Sequence, residues 1–276
     1  MTSVIGVGNG GCAIADMLAK YPQYSAYKFD VGLKKTKTSY PLKQYEKLEE
    51  YEEKTPCPKG FLKNVDKDII FVVCGGGKVS QASLKILEAV KDKILNIIYI
   101  RPELSLLNET QTKIENMTYN VFQEFARSGL FNSVLLVSNE SVKEMLGGLS
   151  IKDYHERINE AIVSNFHMIN VYQNNSPLVN TFDKKPIGSR IRTMGVCDPV
   201  SGEEKLFFPL DKSTDIEYYY AFGSEEIENN RSLLEDVRQN IEDKKKVTKR
   251  VTYGVYETQY EENYLYCMRS TSIIQQ

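Results

Sequence analysis

Apolar residues in the first half of the chain come in short unbroken runs. Between these runs lie stretches where apolar residues recur every three or four positions. "VIGV" (4–7), "SAYKFDV" (25–31), "KDIIFVVCGGG" (67–77), "LNIIYIRP" (95–102) and "SVLLVSN" (133–139) read as strands. Runs without polar alternation suit strands covered on both faces. Residues 12–20, 80–93 and 112–129 carry helical spacing, the second through Ala82, Leu84, Ile86, Leu87 and Val90, the third closed by Gly129. Alternating strands and helices predict a parallel sheet with helices on both faces. The polar segment 32–59 is rich in Lys, Tyr and Glu; within it "LKQYEKLEEYEEK" (42–54) reads as a solvated helix stopped by "TPCPKG".

A long helix is expected over 150–173, with Ser150 as N-cap and Asp153 as its capping-box partner. Past residues 174–188 the texture changes. "RIRTMGV" (190–196), "EKLFFPL" (204–210) and "DIEYYYAFG" (215–223) read as strands and 224–246 as one amphipathic helix. "KRVTYGVYET" (249–258) and "NYLYCMRST" (263–271) read as a closing hairpin. The expected fold class is α/β. A Rossmann-like parallel-sheet nucleotide domain over about 1–172, including the connecting helix 150–172, is followed by a smaller α+β domain over 188–276.

Composition narrows the picture modestly. With 41% hydrophobic and 26% charged residues, the chain reads as an ordinary soluble globular protein. A formal charge of −2 gives no electrostatic case for a nucleic-acid partner. No apolar run reaches the roughly 18–20 residues that span a bilayer, and the chain enters a strand at once, so neither membrane insertion nor a signal peptide is expected. Cys12, Cys57, Cys74, Cys197 and Cys267 are odd in number and contain no CxxC pair. They read as reduced thiols of a cytoplasmic protein, and no metal site is expected.

The chemistry concentrates in glycines. Gly6, Gly8 and Gly11 of "VIGVGNGGCAIADML" satisfy G-x-G-x-x-G between a strand and a helix, where backbone N–H groups can meet phosphate. Asp30 closes the next strand, where dinucleotide-binding proteins keep a ribose acid. Taken alone, this motif is compatible with an NAD(P) site, a mononucleotide site or a turn without ligand. Gly75, Gly76 and Gly77 add a second glycine-rich strand end before a helix, and two such junctions suit a nucleotide with several phosphates. "GGGKVS" lacks the spacing of a P-loop; Lys78 reads equally as a phosphate contact or as a solvated lysine at a helix start.

Over about residues 3–193 the order of these motifs resembles the FtsZ/tubulin superfamily. "VIGVGNGGCAIADML" is similar to its first phosphate loop, and "DIIFVVCGGG" to the strand entering its glycine-rich signature loop. "SVLLVSNESVKEMLGGLSIKDYHERINEAI" is similar to its strand, turn and base-binding helix, and "SPLVNTFD" to its synergy loop. The resemblance implies binding of GTP or GDP, with or without Mg²⁺, and head-to-tail self-assembly. It implies that Gly8, Asn9, Gly10, Gly11, Cys12, Gly75, Gly76 and Gly77 supply loop amides and that Asp30 lies near the nucleotide. His155 would stack on the base and Asn159 bond its edge; the i,i+4 spacing puts both on one helix face.

Departures are equally clear. The signature loop reads "GGGKVSQ", without its threonine and last two glycines, and no γ-phosphate sensor loop is visible between Asp30 and Asp66. In the synergy loop Asn180 is kept, Phe182 and Lys185 stand where acids are expected, and Asp183 is displaced by one position. Weak or absent hydrolysis follows. The chain ends at "TSIIQQ" without a long tail, which suggests a specialised homologue, as from a phage or other mobile element. A degenerate interaction module that binds no nucleotide and an NAD(P)-dependent oxidoreductase are the alternatives.

Overall fold

In the computed structural model, residues 1–183, 188–246, 248 and 250–276 are described. The chain begins with β1 (Thr2–Val7), α1 (Gly8–Leu18), β2 (Tyr24–Val31), β3 (Ser39–Leu42), α2 (Leu48–Lys54) and β4 (Asp68–Cys74). A 3₁₀ turn (Lys78–Ala82) leads into α3 (Ser83–Glu88), then β5 (Ile94–Arg101), α4 (Glu109–Ser128), β6 (Ser133–Ser138) and α5 (Asn139–Met145). α6 (Tyr154–Asn174) follows, then β7 (Val179–Asn180), β8 (Ile191–Cys197), β9 (Glu204–Leu206) and β10 (Asp215–Gly223). The chain closes with α7 (Ser224–Asn229), α8 (Leu233–Lys245), β11 (Arg250–Thr258) and β12 (Tyr264–Thr271). Two compact units result, Met1–Val163 and Ser164–Gln276, and the division falls inside α6. No helix among the described residues is long and apolar enough to cross a membrane.

The first unit is built on parallel strands in the order β3-β2-β1-β4-β5-β6, as the alternating pattern predicts. Continuous apolar runs fit this sheet because its central strands are covered on both faces: Ile69–Val73 of β4 and all of β6 are buried. Register sets the strand ends level: Val7 pairs with Phe29 on one side and Val73 on the other, so β2, β1 and β4 finish in one row.

Two expectations for this unit change. β3 lies inside the segment read as polar, and the helix there begins only at Leu48. A four-residue edge strand of sequence "SYPL", with Pro41 in its interior, carries too short an apolar signal to be read. The capping geometry at Ser150 does form, its hydroxyl accepting from Asp153 N–H at 3.2 Å and donating to the Asp153 carboxylate at 2.7 Å. Residues 151–153 make only a turn, however, and α6 starts at Tyr154.

The second unit orders its strands β8-β12-β10-β11-β7, with β9 pairing antiparallel to β8 off this path. The expected closing hairpin is absent. β11 and β12 do not pair; β10 lies between them, parallel to β11 and antiparallel to β12. The cause is β10 itself, whose first eight residues are buried and need a paired strand on each side. A parallel pair also requires a crossover, and α7 and α8 supply it. The single helix expected over 224–246 breaks at Asn230, which leaves helical geometry and accepts the Ser232 N–H on its side chain. α8 lays Val237 and Ile241 on Ile216, Tyr218, Tyr220 and Val251 of the sheet. The second strand expected here, over 204–210, shortens to Glu204–Leu206.

One buried carboxylate ties this unit together. Glu204 accepts from Tyr218 Oη at 2.6 Å, Lys244 Nζ at 2.8 Å, and Arg269 Nε and Nη2 at 2.8 and 2.6 Å. Burial alone would raise its pKa; Lys244, Tyr218 and Arg269 outweigh burial and hold the carboxyl below its usual range. Removing one partner strands a buried charge. Arg269→Leu is expected to cost about 3 kcal/mol or more in urea denaturation. Arg238→Ala, which breaks an exposed pair with Glu235, should cost less than about 0.5 kcal/mol. Equal, small losses would show that Glu204 does not depend on its cations.

His167 on α6 is 8% exposed, and burial pulls its pKa below the ordinary value. The unfolded chain therefore takes up a proton that the folded imidazole resists. Stability is lost as pH falls through the unfolded pKa of about 6.5 and levels off below the folded one. The wild-type minus His167→Gln difference in unfolding free energy, measured from pH 8 to pH 5, should carry this slope; a flat difference would overturn it.

Candidate functional site

Three strand ends form one row at the C-terminal edge of the parallel sheet. Gly8 follows Val7 of β1, Cys74 follows Val73 of β4, and Asp30 follows Phe29 of β2. The two glycine junctions are thus neighbours. Gly8 has φ +70°, a left-handed conformation that lets α1 start directly from β1. A Cβ on Gly8 would lie 3.9 Å from Val79 Cβ, so the second junction reaches the first.

α1 packs flush against the sheet because glycines occupy the sheet-facing positions of its first turn. A Cβ at Gly11 would stand 2.6 Å from the Val72 carbonyl oxygen, one at Gly10 would stand 2.5 Å from Cys74 Sγ, and one at Gly6 would fall on the Gly11 carbonyl. Helix geometry leaves the N–H groups of the first turn without partners, and no side chain caps them. Gly8, Asn9 and Gly10 carry these open amides, with Asn9 exposed. Gly11 and Cys12 are buried and act by packing. The Cys12 thiol contacts the Gly6 and Phe29 carbonyls, and burial pushes its pKa up to about 12.

At the second junction the Gly75 N–H is spent on the Ile100 carbonyl at 2.9 Å. Gly75 also has no room for a side chain, since a Cβ would meet Tyr99 Oη at 2.5 Å and Glu115 Cγ at 2.9 Å. Gly76 has φ +75° and Gly77 opens the 3₁₀ turn, again without a side-chain cap. Two other helix starts in this unit are capped by side chains. Asn108 and Gln111 cap α4 reciprocally at 2.9 and 3.1 Å, and Ser138 caps α5 at 3.3 Å. Both glycine junctions lead into helix starts without a side-chain cap.

The flanking residues were only partly foreseen. Asp30 accepts the Val31 N–H at 2.8 Å, and burial raises its pKa. Lys78 is exposed and donates to the Glu46 carbonyl at 3.2 Å, so the polar segment after β3 reaches the mouth of the second junction. Sequence reading missed that contact and also the support beneath Gly75. There the fully buried Glu115 pairs with Arg101 at 3.1 Å, and the Arg101 guanidinium stacks 4.3 Å from the Tyr119 ring centre. Nothing local in the sequence signals either contact.

His155 and Asn159 lie on the first turns of α6, exposed and half-buried respectively. The helix start is anchored by its neighbour Tyr154, whose hydroxyl donates to Glu103 at 3.1 Å, while Lys143 holds the other Glu103 oxygen at 2.7 Å. The ammonium of Lys143 keeps the Glu103 carboxyl below its usual range. Glu103 follows the end of β5, so α6 begins at the glycine-bearing edge. The Tyr154 and His155 rings meet edge to face at 5.0 Å.

Asn180 and Asp183 belong to the second unit. β7 pairs with β11, and the Asn180 side chain accepts the Phe182 N–H at 3.1 Å. Phe182 lies over Gly254, where a Cβ would come 2.5 Å from its ring, and packs 5.5 Å from Tyr219. Asp183 is exposed at the rim of a cavity of about 300 Å³ lined by Gln173, Asn180, Phe182, Glu217, Tyr219 and Tyr256. Lys185 lies outside the described residues.

No family model and no curated protein sequence matches the chain. Solved structures do. The FtsZ dimer of M. jannaschii aligns with TM-score 0.70 at 10% identity over 98% of this chain and 88% of that one. A GTPγS-form protofilament of TubZ from Bacillus thuringiensis serovar israelensis gives TM-score 0.75 at 15% identity over 98% and 86%. GDP-bound CetZ1 from Haloferax volcanii gives 0.70 at 16% over 99% and 94%. The chain therefore has the α/β fold these proteins share.

The packing argument separates the glycines. Gly11→Ala forces backbone against backbone and is expected to cost about 2–3 kcal/mol in urea denaturation. Gly77→Ala, at φ −85° with open space around it, should stay within about 0.5 kcal/mol of wild type. The reverse order would refute a flush α1.

Proposed function

We propose that this chain, with the fold of FtsZ, TubZ and CetZ, is a cytoplasmic cytoskeletal protein that binds a guanine nucleotide and assembles head to tail, with weak or absent GTP hydrolysis. The observation that carries the reading is the pair of uncapped glycine junctions on the adjacent strands β1 and β4. Open amides of Gly8, Asn9 and Gly10 from one side and of Gly76 and Gly77 from the other suit a chain of phosphates. Lys78 adds a positive charge at the rim. His155 and Asn159, one turn apart, would take the face and the edge of the base.

The residues fit a diphosphate or triphosphate better than a dedicated metal cage. Lys78 is the charged side chain that the junctions themselves supply, so a magnesium ion would rest on the phosphates, as this ion commonly does. Neighbours whose structures are protofilaments and a two-stranded filament support self-association. A heterologous contact of that kind builds open polymers. Weak hydrolysis rests on the loop after β7. An aromatic ring at 182, turned onto Gly254, cannot polarise water, and Asp183 and Asn180 are the polar groups left to do so.

Chromatography of the nucleotide released from freshly purified, heat-denatured protein tests binding, and light scattering with electron microscopy in GTP tests assembly. GDP or GTP in the released fraction and filaments are expected. Tight NADH binding without GTP binding would replace this reading with an oxidoreductase. Nucleotide-free protein with no thermal shift in GTP or GDP would replace it with an interaction module, a reading favoured by Val79 against Gly8 and by the Lys78–Glu46 tether.

A further inference from the structure

Two thiols and a carboxylate converge in the second unit, far from the glycine junctions in sequence. Cys197 of β8 stands directly opposite Glu204 of β9, and Cys267 of β12 stands opposite Gly195, two residues before Cys197. Cross-strand partners share a face, so all three side chains point to one side. Gly195 makes the room: a Cβ there would lie 2.9 Å from Cys267 Sγ. Cys197 is 8% exposed and Cys267 fully buried.

Their spacing matches a coordination shell. Tetrahedral zinc, with bonds of about 2.3 Å to sulfur and 2.0–2.2 Å to oxygen, holds its ligands about 3.5–3.8 Å apart. Cys267 Sγ sits 3.8 Å from Glu204 Oε2, and all three donor atoms lie within 4.8 Å of one another. Closing the triangle needs movements of about an ångström at most. Two sulfurs with one carboxylate select a thiophilic ion over calcium or magnesium. We propose that Cys197, Cys267 and Glu204 form a binding site for a divalent cation of the zinc class, with water in the fourth position.

The charges balance. With both thiols protonated, Glu204, Lys244 and Arg269 sum to +1. One divalent ion forms two metal–sulfur bonds and drives two thiol protons into solvent, so the sum stays +1. Lys244 and Arg269 keep the carboxylate oriented as outer partners, and only the Cys267 S–H contact is displaced. Among the described residues this is the one group of three such donors. Separated by 6 and 62 intervening residues, it carries no spacing signature, and the expectation of no metal site came from that.

Reduced, metal-free, full-length protein titrated with cobalt(II) tests the site. One equivalent should produce a sulfur-to-cobalt charge-transfer band with tetrahedral visible bands, release two protons, and be displaced by zinc. Affinity should rise about 100-fold per pH unit while both thiols are protonated. Cys197→Ser and Cys267→Ser should abolish the band, and Glu204→Gln should weaken binding about tenfold or more while keeping it. Should these variants fail to fold, anomalous diffraction from zinc-soaked wild-type crystals decides, expecting the ion between the three donors. No thiolate band, a band surviving both serine variants, or an ion elsewhere overturns the proposal.

Discussion

Contact between the backbone of α1 at Gly11 and the Val72 carbonyl of β4 is the constraint on which the candidate site rests. A helix held away by side chains would leave its first-turn amides short of the neighbouring strand end. With glycines at 6, 10 and 11, α1 lies on β1 and β4 together, and the Val7–Val73 register brings the second junction alongside. Much of the glycine content is therefore steric. Conformation demands it at Gly8 and Gly76, where φ is positive. Gly75 is a third case, a lid over the Arg101–Glu115 pair whose own amide is already used.

In the second unit the corresponding constraint is electrostatic. Glu204 lies on a three-residue strand too short to hold itself in place, yet it anchors β10, α8 and β12 at once. Burying one carboxylate with two cations and a phenol stabilises only as a complete set. The aromatic packing around it is generic, through Tyr218, Tyr220 and Tyr253, whereas the carboxylate fixes which strands meet.

Much of this was readable in the sequence where a signal was local. The runs at 4–7, 67–77, 95–102 and 133–139 identified the central parallel strands because burial on both faces leaves no polar alternation. Glycine clusters at strand ends marked the junctions before any geometry was known. What escaped depended on partners distant in the chain. β10 intervenes between β11 and β12 through long-range pairing that their hairpin-like spacing hides. Glu115 beneath Gly75, and Glu46 beside Lys78, are contacts across 40 and 32 positions that no periodicity encodes. The break at Asn230 was hidden for a different reason, since "EEIENNRSLLEDVRQ" keeps helical spacing through a residue whose side chain competes with the backbone.

Pro41 in the outermost strand of the first sheet has a consequence for how copies of the molecule can meet. A proline there removes an N–H from a strand only four residues long, so that flank offers a poor template for an incoming strand. Sheet continuation from molecule to molecule, the route to irreversible fibres, is discouraged on that side. Whatever joins there must be recognised by its side chains, and such a union can come apart again.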